Sequence, residues 1–219
     1  MTRPLSALRA GPPAPRSALV FLHGYGADAH DLMGLAEPLA PHLPGTAFLS
    51  VHAPEPCRNA PWGRQWFPIP WLDGSSEAEA RAGLLAAAAD LDAWLDETLA
   101  AEGLPPGRVA LCGFSQGAMM ALHVAPRRPE PLAGIVACSG RLLAPDLLAA
   151  EARSRPPVLL LHGDRDDVVP FAAMAEAERA LRAAGWTDLS TYTMRGTPHG
   201  IAPDGLGAAV AFLRDRLGG

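Results

Sequence analysis

The apolar run Val109-Ala110-Leu111-Cys112 leads directly into Gly113-Phe114-Ser115-Gln116-Gly117, and residues 116–125 then carry a helical pattern. Strand, tight turn and helix follow with no linker between them. A turn this sharp leaves no space for side chains two positions either side of Ser115, and both of those positions are glycine. Such a turn lifts a hydroxyl above the sheet edge and sets it against a helix N-terminus, where unpaired N–H groups and the positive dipole end face it. A bare Gly-x-Ser-x-Gly also occurs as an ordinary turn, so its surroundings must decide.

The surroundings repeat the same unit. Strands are expected near 18–22, 46–51, 108–112, 132–137, 157–161 and 189–194, with a further one near 5–9. Helices are expected near 29–43, 77–102, 116–125, 145–153, 170–184 and 204–217. This alternation predicts an α/β fold: a mostly parallel central sheet with helices on both faces. At 219 residues and 49% hydrophobic content the chain can bury one substantial core, so residues 1–219 are expected as a single domain. The stretches between strands are too short for a separate cap domain. In the longest helix, Leu84, Ala88, Leu91, Leu95 and Leu99 form the stripe expected to face the core, with Asp90, Asp92, Asp96 and Glu97 mostly elsewhere.

Two other turns bear on Ser115. Leu19-Val20-Phe21-Leu22 runs into His23-Gly24-Tyr25-Gly26, a glycine-bracketed loop able to aim backbone donors at a developing oxyanion. The donors expected are the N–H groups of Tyr25 and of Gln116, the residue after the serine. Later come Leu159-Leu160-Leu161-His162-Gly163-Asp164-Arg165-Asp166-Asp167 and Thr197-Pro198-His199-Gly200. Ser115, a carboxylate and His199 thus follow in the order used by hydrolases built on this turn. Serine is a poor nucleophile until an imidazole takes its proton, and that imidazole needs a carboxylate on its other nitrogen. Of seven histidines, only His199 follows the carboxylate cluster on a loop after a late strand. Spacing alone leaves Asp164, Asp166 and Asp167 open as the acid.

These residues resemble the phospholipase/carboxylesterase family of the α/β-hydrolases, which includes the acyl-protein thioesterases. The resemblance rests on Leu22-His23-Gly24-Tyr25-Gly26-Ala27-Asp28, Gln65-Trp66-Phe67, the Ser115 pentapeptide, His162 through Pro170, and Pro198-His199-Gly200. It runs from about residue 18 to the C-terminus. The family pattern His-Gly-x-x-Asp-x-x-Val-Pro puts the acid at Asp166, leaving Asp164 to stabilise the turn. One departure is Pro198-His199-Gly200, where many relatives have Gly-His followed by serine or another small residue. The resemblance implies a serine carboxylesterase acting on short- to medium-chain esters or thioesters through an acyl-enzyme. The alternatives are a lysophospholipase, an acyl-protein thioesterase, or a silent ligand-binding relative.

Other chemistries are excluded by composition. The chain has no lysine, which rules out a Schiff-base lysine, a Ser-Lys dyad and a P-loop lysine. Cys57, Cys112 and Cys138 have no metal-ligand spacing, and neither metal nor cofactor is expected. A net charge of −5 with scattered arginines argues against a nucleic-acid surface, and Arg127-Arg128 and Arg153/Arg155 read as solvated helix ends. With no sustained apolar segment at the N-terminus, no membrane insertion is expected and the cytoplasm is the expected location. Residues 53–76 form the one long irregular stretch. Its prolines stiffen it, so Trp62, Trp66, Phe67 and Trp71 are expected as the wall or partial lid of an acyl pocket. The alternative is that these tryptophans plug the core or an interface between copies, as in a homodimer.

Overall fold

The computed structural model describes residues 2–218. The main strands are β1 (Ala7–Ala10), β2 (Ser17–Leu22), β3 (Thr46–Val51), β6 (Val109–Phe114), β7 (Gly134–Cys138), β8 (Val158–Gly163) and β9 (Leu189–Met194). They form one sheet in the order β1-β3-β2-β6-β7-β8-β9. Only β1 is antiparallel, lying along β3 with Ala7 opposite Val51. Parallel strands covered on both faces should read as continuous apolar runs, and every residue of β2 and β3 is buried. Alternate side chains then divide between two cores. Leu19 and Phe21 pack with Leu32, Leu39, Phe48 and Leu213 on one face. Val20 and Leu22 pack with Leu91, Leu95 and Met120 on the other.

The helices supply both covers. α1 (Ala29–Met33), α2 (Ala36–Leu39) and α8 (Pro203–Leu217) lie on the first face. α4 (Glu77–Glu102), α5 (Gln116–Val124), α6 (Pro145–Glu151) and α7 (Ala172–Ala183) lie on the second. Among the described residues no cap domain stands above the sheet.

Several expectations are corrected. The helix expected over 29–43 is broken into α1, α2 and a 3-10 turn at Ala40–His42. Pro38 and Pro41 lack the N–H groups that a continuous helix would need there. α4 does run from 77 to 102, opened by a capping box between Ser76 and Glu79 and closed by Gly103 at φ 66°. Its Asp90, however, is buried, where its carboxylate receives the Arg3 backbone N–H and guanidinium, both at 2.7 Å. Arg128 is likewise no solvated helix end, since it is buried and paired with Asp92 and Asp96 of α4. Arg127 pairs with Glu151, and Arg155 lies over the Trp186 ring. The irregular stretch 53–76 contains a short hairpin, β4 (Glu55–Pro56) with β5 (Arg64–Gln65), and the one-turn helix α3 (Pro70–Asp73).

Candidate active site

Ser115 stands at the C-terminal end of β6 with φ 53° and ψ −116°, one of three non-glycine residues at positive φ among those described. Its N–H donates to the Cys138 carbonyl of the neighbouring strand at 2.8 Å, which fixes the turn against β7. The flanking glycines are a steric requirement. A Cβ on Gly117 would collide with the Leu22 carbonyl, and one on Gly113 with the backbone of Gly117. The adjacent loop packs in ordinary contact, since a Cβ on Gly24 would meet the Ser115 Cβ at 3.4 Å.

That loop is braced from below. His23 Nε2 accepts the Ala53 N–H at 3.0 Å, so its proton sits on Nδ1 and reaches the Gly24 carbonyl at 2.8 Å. Burial holds His23 down to about 4, and the ring stays neutral. The Trp66 indole N–H donates to the His23 carbonyl at 3.0 Å. The Gly26 N–H donates to Arg64, whose own N–H returns to Ala27. Tyr25 also holds on through its side chain, its hydroxyl donating to Asp73 at 3.3 Å. Burial, the Cys57 thiol and the Asp73 carboxylate push that phenol up, so it remains a donor. Among the described residues, no partner takes the backbone N–H of Tyr25 or of Gln116.

Asp166 and His199 come from loops after β8 and β9 and meet with Asp166 Oδ2 2.7 Å from His199 Nδ1. The other oxygen, Oδ1, accepts the N–H groups of Val168 and Val169 at 3.0 and 2.8 Å. Burial pushes the Asp166 carboxyl up. The hydrogen bonds from His199, Val169 and Val168 outweigh it and hold the carboxyl below its ordinary value. A carboxylate only accepts, so His199 Nδ1 carries a proton. The His199 ring sits 4.8 Å from the ring of Phe114, the residue preceding Ser115. The other two carboxylates are engaged differently. Asp164 accepts the Gly196 N–H at 2.6 Å, tying the β8 end to the turn before His199, and Asp167 is exposed.

The four aromatics of the 53–76 stretch separate. Trp66 is fully buried and Phe67 nearly so, both within the core, so the expectation that they wall a pocket is corrected. Trp71 is 58% exposed and Trp62 is 95% exposed. Trp62 lines a shallow groove of about 420 Å³ with Gly26, Ala27, Asp28 and Asp31.

The sequence profile of the family described as Phospholipase/Carboxylesterase matches residues 6–217. The chain belongs to the phospholipase/carboxylesterase family. It is 31% identical to an acyl-protein thioesterase 1 of Neurospora crassa, with 92% of this chain and 87% of the relative covered. It is 30% identical to a probable carboxylesterase of Oryza sativa subsp. japonica, covering 92% of this chain and 78% of the relative. Among solved structures, esterase PE8 superposes with a TM-score of 0.92 at 43% identity, covering 98% of this chain and 100% of that one.

One side chain of this family member is not signalled by the motifs. Gln116 contributes its side chain as well as its backbone. Its buried amide accepts the Trp66 N–H at 2.9 Å and donates to the Phe67 carbonyl at 2.7 Å. The post-elbow helix is thereby fastened to the 53–76 stretch, which argues against a free lid. A lone amide opening the apolar run Gly117-Ala118-Met119-Met120 was the available signal.

Proposed function

We propose that this one-domain hydrolase is a serine carboxylesterase working through an acyl-enzyme, with Ser115 as nucleophile, His199 as base and Asp166 as its carboxylate partner. The observation that carries this reading is the 2.7 Å contact between Asp166 and His199 Nδ1, made by loops after β8 and β9 at the same C-terminal strand ends as Ser115. His199 would take the Ser115 proton as Oγ attacks the acyl carbon. The N–H groups of Tyr25 and Gln116 would then receive the oxyanion, and the protonated His199 would pass its proton to the leaving group. Water activated by His199 completes the cycle. The untaken donors at Tyr25 and Gln116 and the positive φ of Ser115 support the assignment.

Short- to medium-chain carboxylic esters are the proposed substrates, since no cap domain restricts approach. The exposed Trp62 and Trp71 are proposed as apolar contacts for the acyl or leaving group. Thioesters are the second class, favoured by the likeness to a protein named as a thioesterase. A fluorophosphonate probe tests the reading. Stoichiometric labelling of Ser115, lost in Ser115→Ala, is expected; labelling at another residue, or none, would overturn it. A panel pairing each p-nitrophenyl ester with the matching acyl thioester decides between the two substrate classes.

A further inference from the structure

His162 ends β8 next to Gly163, buried as completely as the carboxylate beside it. Its Nε2 lies 2.9 Å from the Val169 carbonyl oxygen and 3.2 Å from Asp166 Oδ2. Both neighbours accept only, so Nε2 carries the proton. The N–H is aimed at Val169 and sets its positive end beside Oδ2. This is the same oxygen that receives His199 Nδ1. Val169 meanwhile donates its own N–H to Oδ1, so His162 grips the residue that grips the carboxylate. The Phe171 ring stands edge-on to His162 at 5.9 Å and fixes its plane.

We propose that His162 is a positioning residue, locking the Asp166 carboxylate through Val169 and sharing the charge of Oδ2 between two imidazoles, so that the carboxylate that orients His199 is itself held in place. This rests on the assignment of Ser115, Asp166 and His199 made above. The other titratable group near the carboxylate is the buried Cys138 thiol of β7, which burial pushes up and keeps neutral. Asp164, Arg165 and Asp167 of the following turn and Arg195 of the last loop are exposed. Asp204 of α8 is bonded to Tyr192.

His162→Leu removes the donor and His162→Gln keeps one at the same reach. In the leucine variant Oδ2 becomes a stronger acceptor on a looser turn. It should lose about tenfold in kcat with KM within about twofold, and the acid limb of kcat/KM should move to higher pH. The glutamine variant should recover most of both. A folded leucine variant with wild-type kcat, a loss with an unmoved pH profile, or a glutamine variant no better than leucine would overturn the inference. If the variants do not fold, 15N NMR of wild-type histidines decides. The Nε2–H tautomer of His162 is expected throughout the active pH range, and the Nδ1–H tautomer or imidazolium would overturn it. Fluorophosphonate labelling of wild-type Ser115 separates the two levels. Labelling with an unmoved profile removes His162 alone, whereas no labelling removes the Ser115 assignment and this inference with it.

Discussion

At the scale of single residues, function and stability pull Ser115 in opposite directions. A side chain held at φ 53° costs about 1–3 kcal/mol, and glycine would relieve most of it. Ser115→Ala and Ser115→Gly should both lose ester turnover by several orders of magnitude. By differential scanning calorimetry the glycine variant should melt above the alanine variant; equal or reversed melting temperatures would mean that the turn is not strained. Asp166→Asn should lose far more kcat than Asp167→Asn, because only Asp166 reaches His199. Asp164→Asn should mainly lower the melting temperature. Acid stability follows from two other histidines. Burial holds His23 and His123 each down to about 4, and His123 Nδ1 is buried without a partner. An imidazole in the unfolded chain titrates near 6.5, so it binds protons first as pH falls. The stability from neutral burial is complete above about 6.5 and is lost towards pH 4, by up to about 1.4 kcal/mol per pH unit for each group. His123→Leu should therefore raise the melting temperature more at pH 5 than at pH 7.5. A uniform change across that range would contradict this linkage.

At the scale of elements, Trp66 and the 53–76 stretch behave as scaffold. A fully buried tryptophan replaced by alanine costs about 3–5 kcal/mol, and here it also frees the His23 carbonyl beneath the Tyr25 loop. Trp66→Ala should thus be markedly destabilised and lose similar fractions of acetate and hexanoate turnover. A loss confined to the longer ester would instead return Trp66 to the acyl pocket. Legibility in the sequence divides along the same line. The strands are legible because burial on both faces leaves unbroken apolar runs such as Ala18–Leu22, and α4 because Leu84, Ala88, Leu91, Leu95 and Leu99 recur on one stripe. The break in 29–43 is masked in the sequence, since apolar spacing continues across Pro38 and Pro41. Trp62 and Trp66 share a residue type and a proline-rich setting, and only packing makes one a core plug and the other a surface ring. Likewise the aspartates of 164–167 differ in what they reach, not in what they are. Family resemblance singled out Asp166 where residue spacing could not.

At the scale of the whole molecule, the candidate site lies along the C-terminal ends of the strands, where parallel α/β sheets leave an open crevice. Each buried methylene of an acyl chain contributes roughly 0.8 kcal/mol until contact runs out, so kcat/KM on p-nitrophenyl esters should climb from acetate to a short or medium chain and then flatten. Trp71→Ala should reduce that climb with little effect on melting temperature, since Trp71 is more than half exposed. An unchanged chain-length profile would remove Trp71 from the substrate path.

The residues of the candidate site are also spread along the chain in time. Ser115 and the Tyr25 loop follow β6 and β2, whereas His199 follows the last strand, and the Ser17 hydroxyl of β2 bonds to the Leu217 carbonyl of the final helix. As the ribosome extends the chain, the elbow emerges long before His199, the base of the proposed triad. On the proposed assignment, a chain extended only past the elbow carries the nucleophile without its base, and hydrolysis waits for the last strand to bring His199 to the sheet.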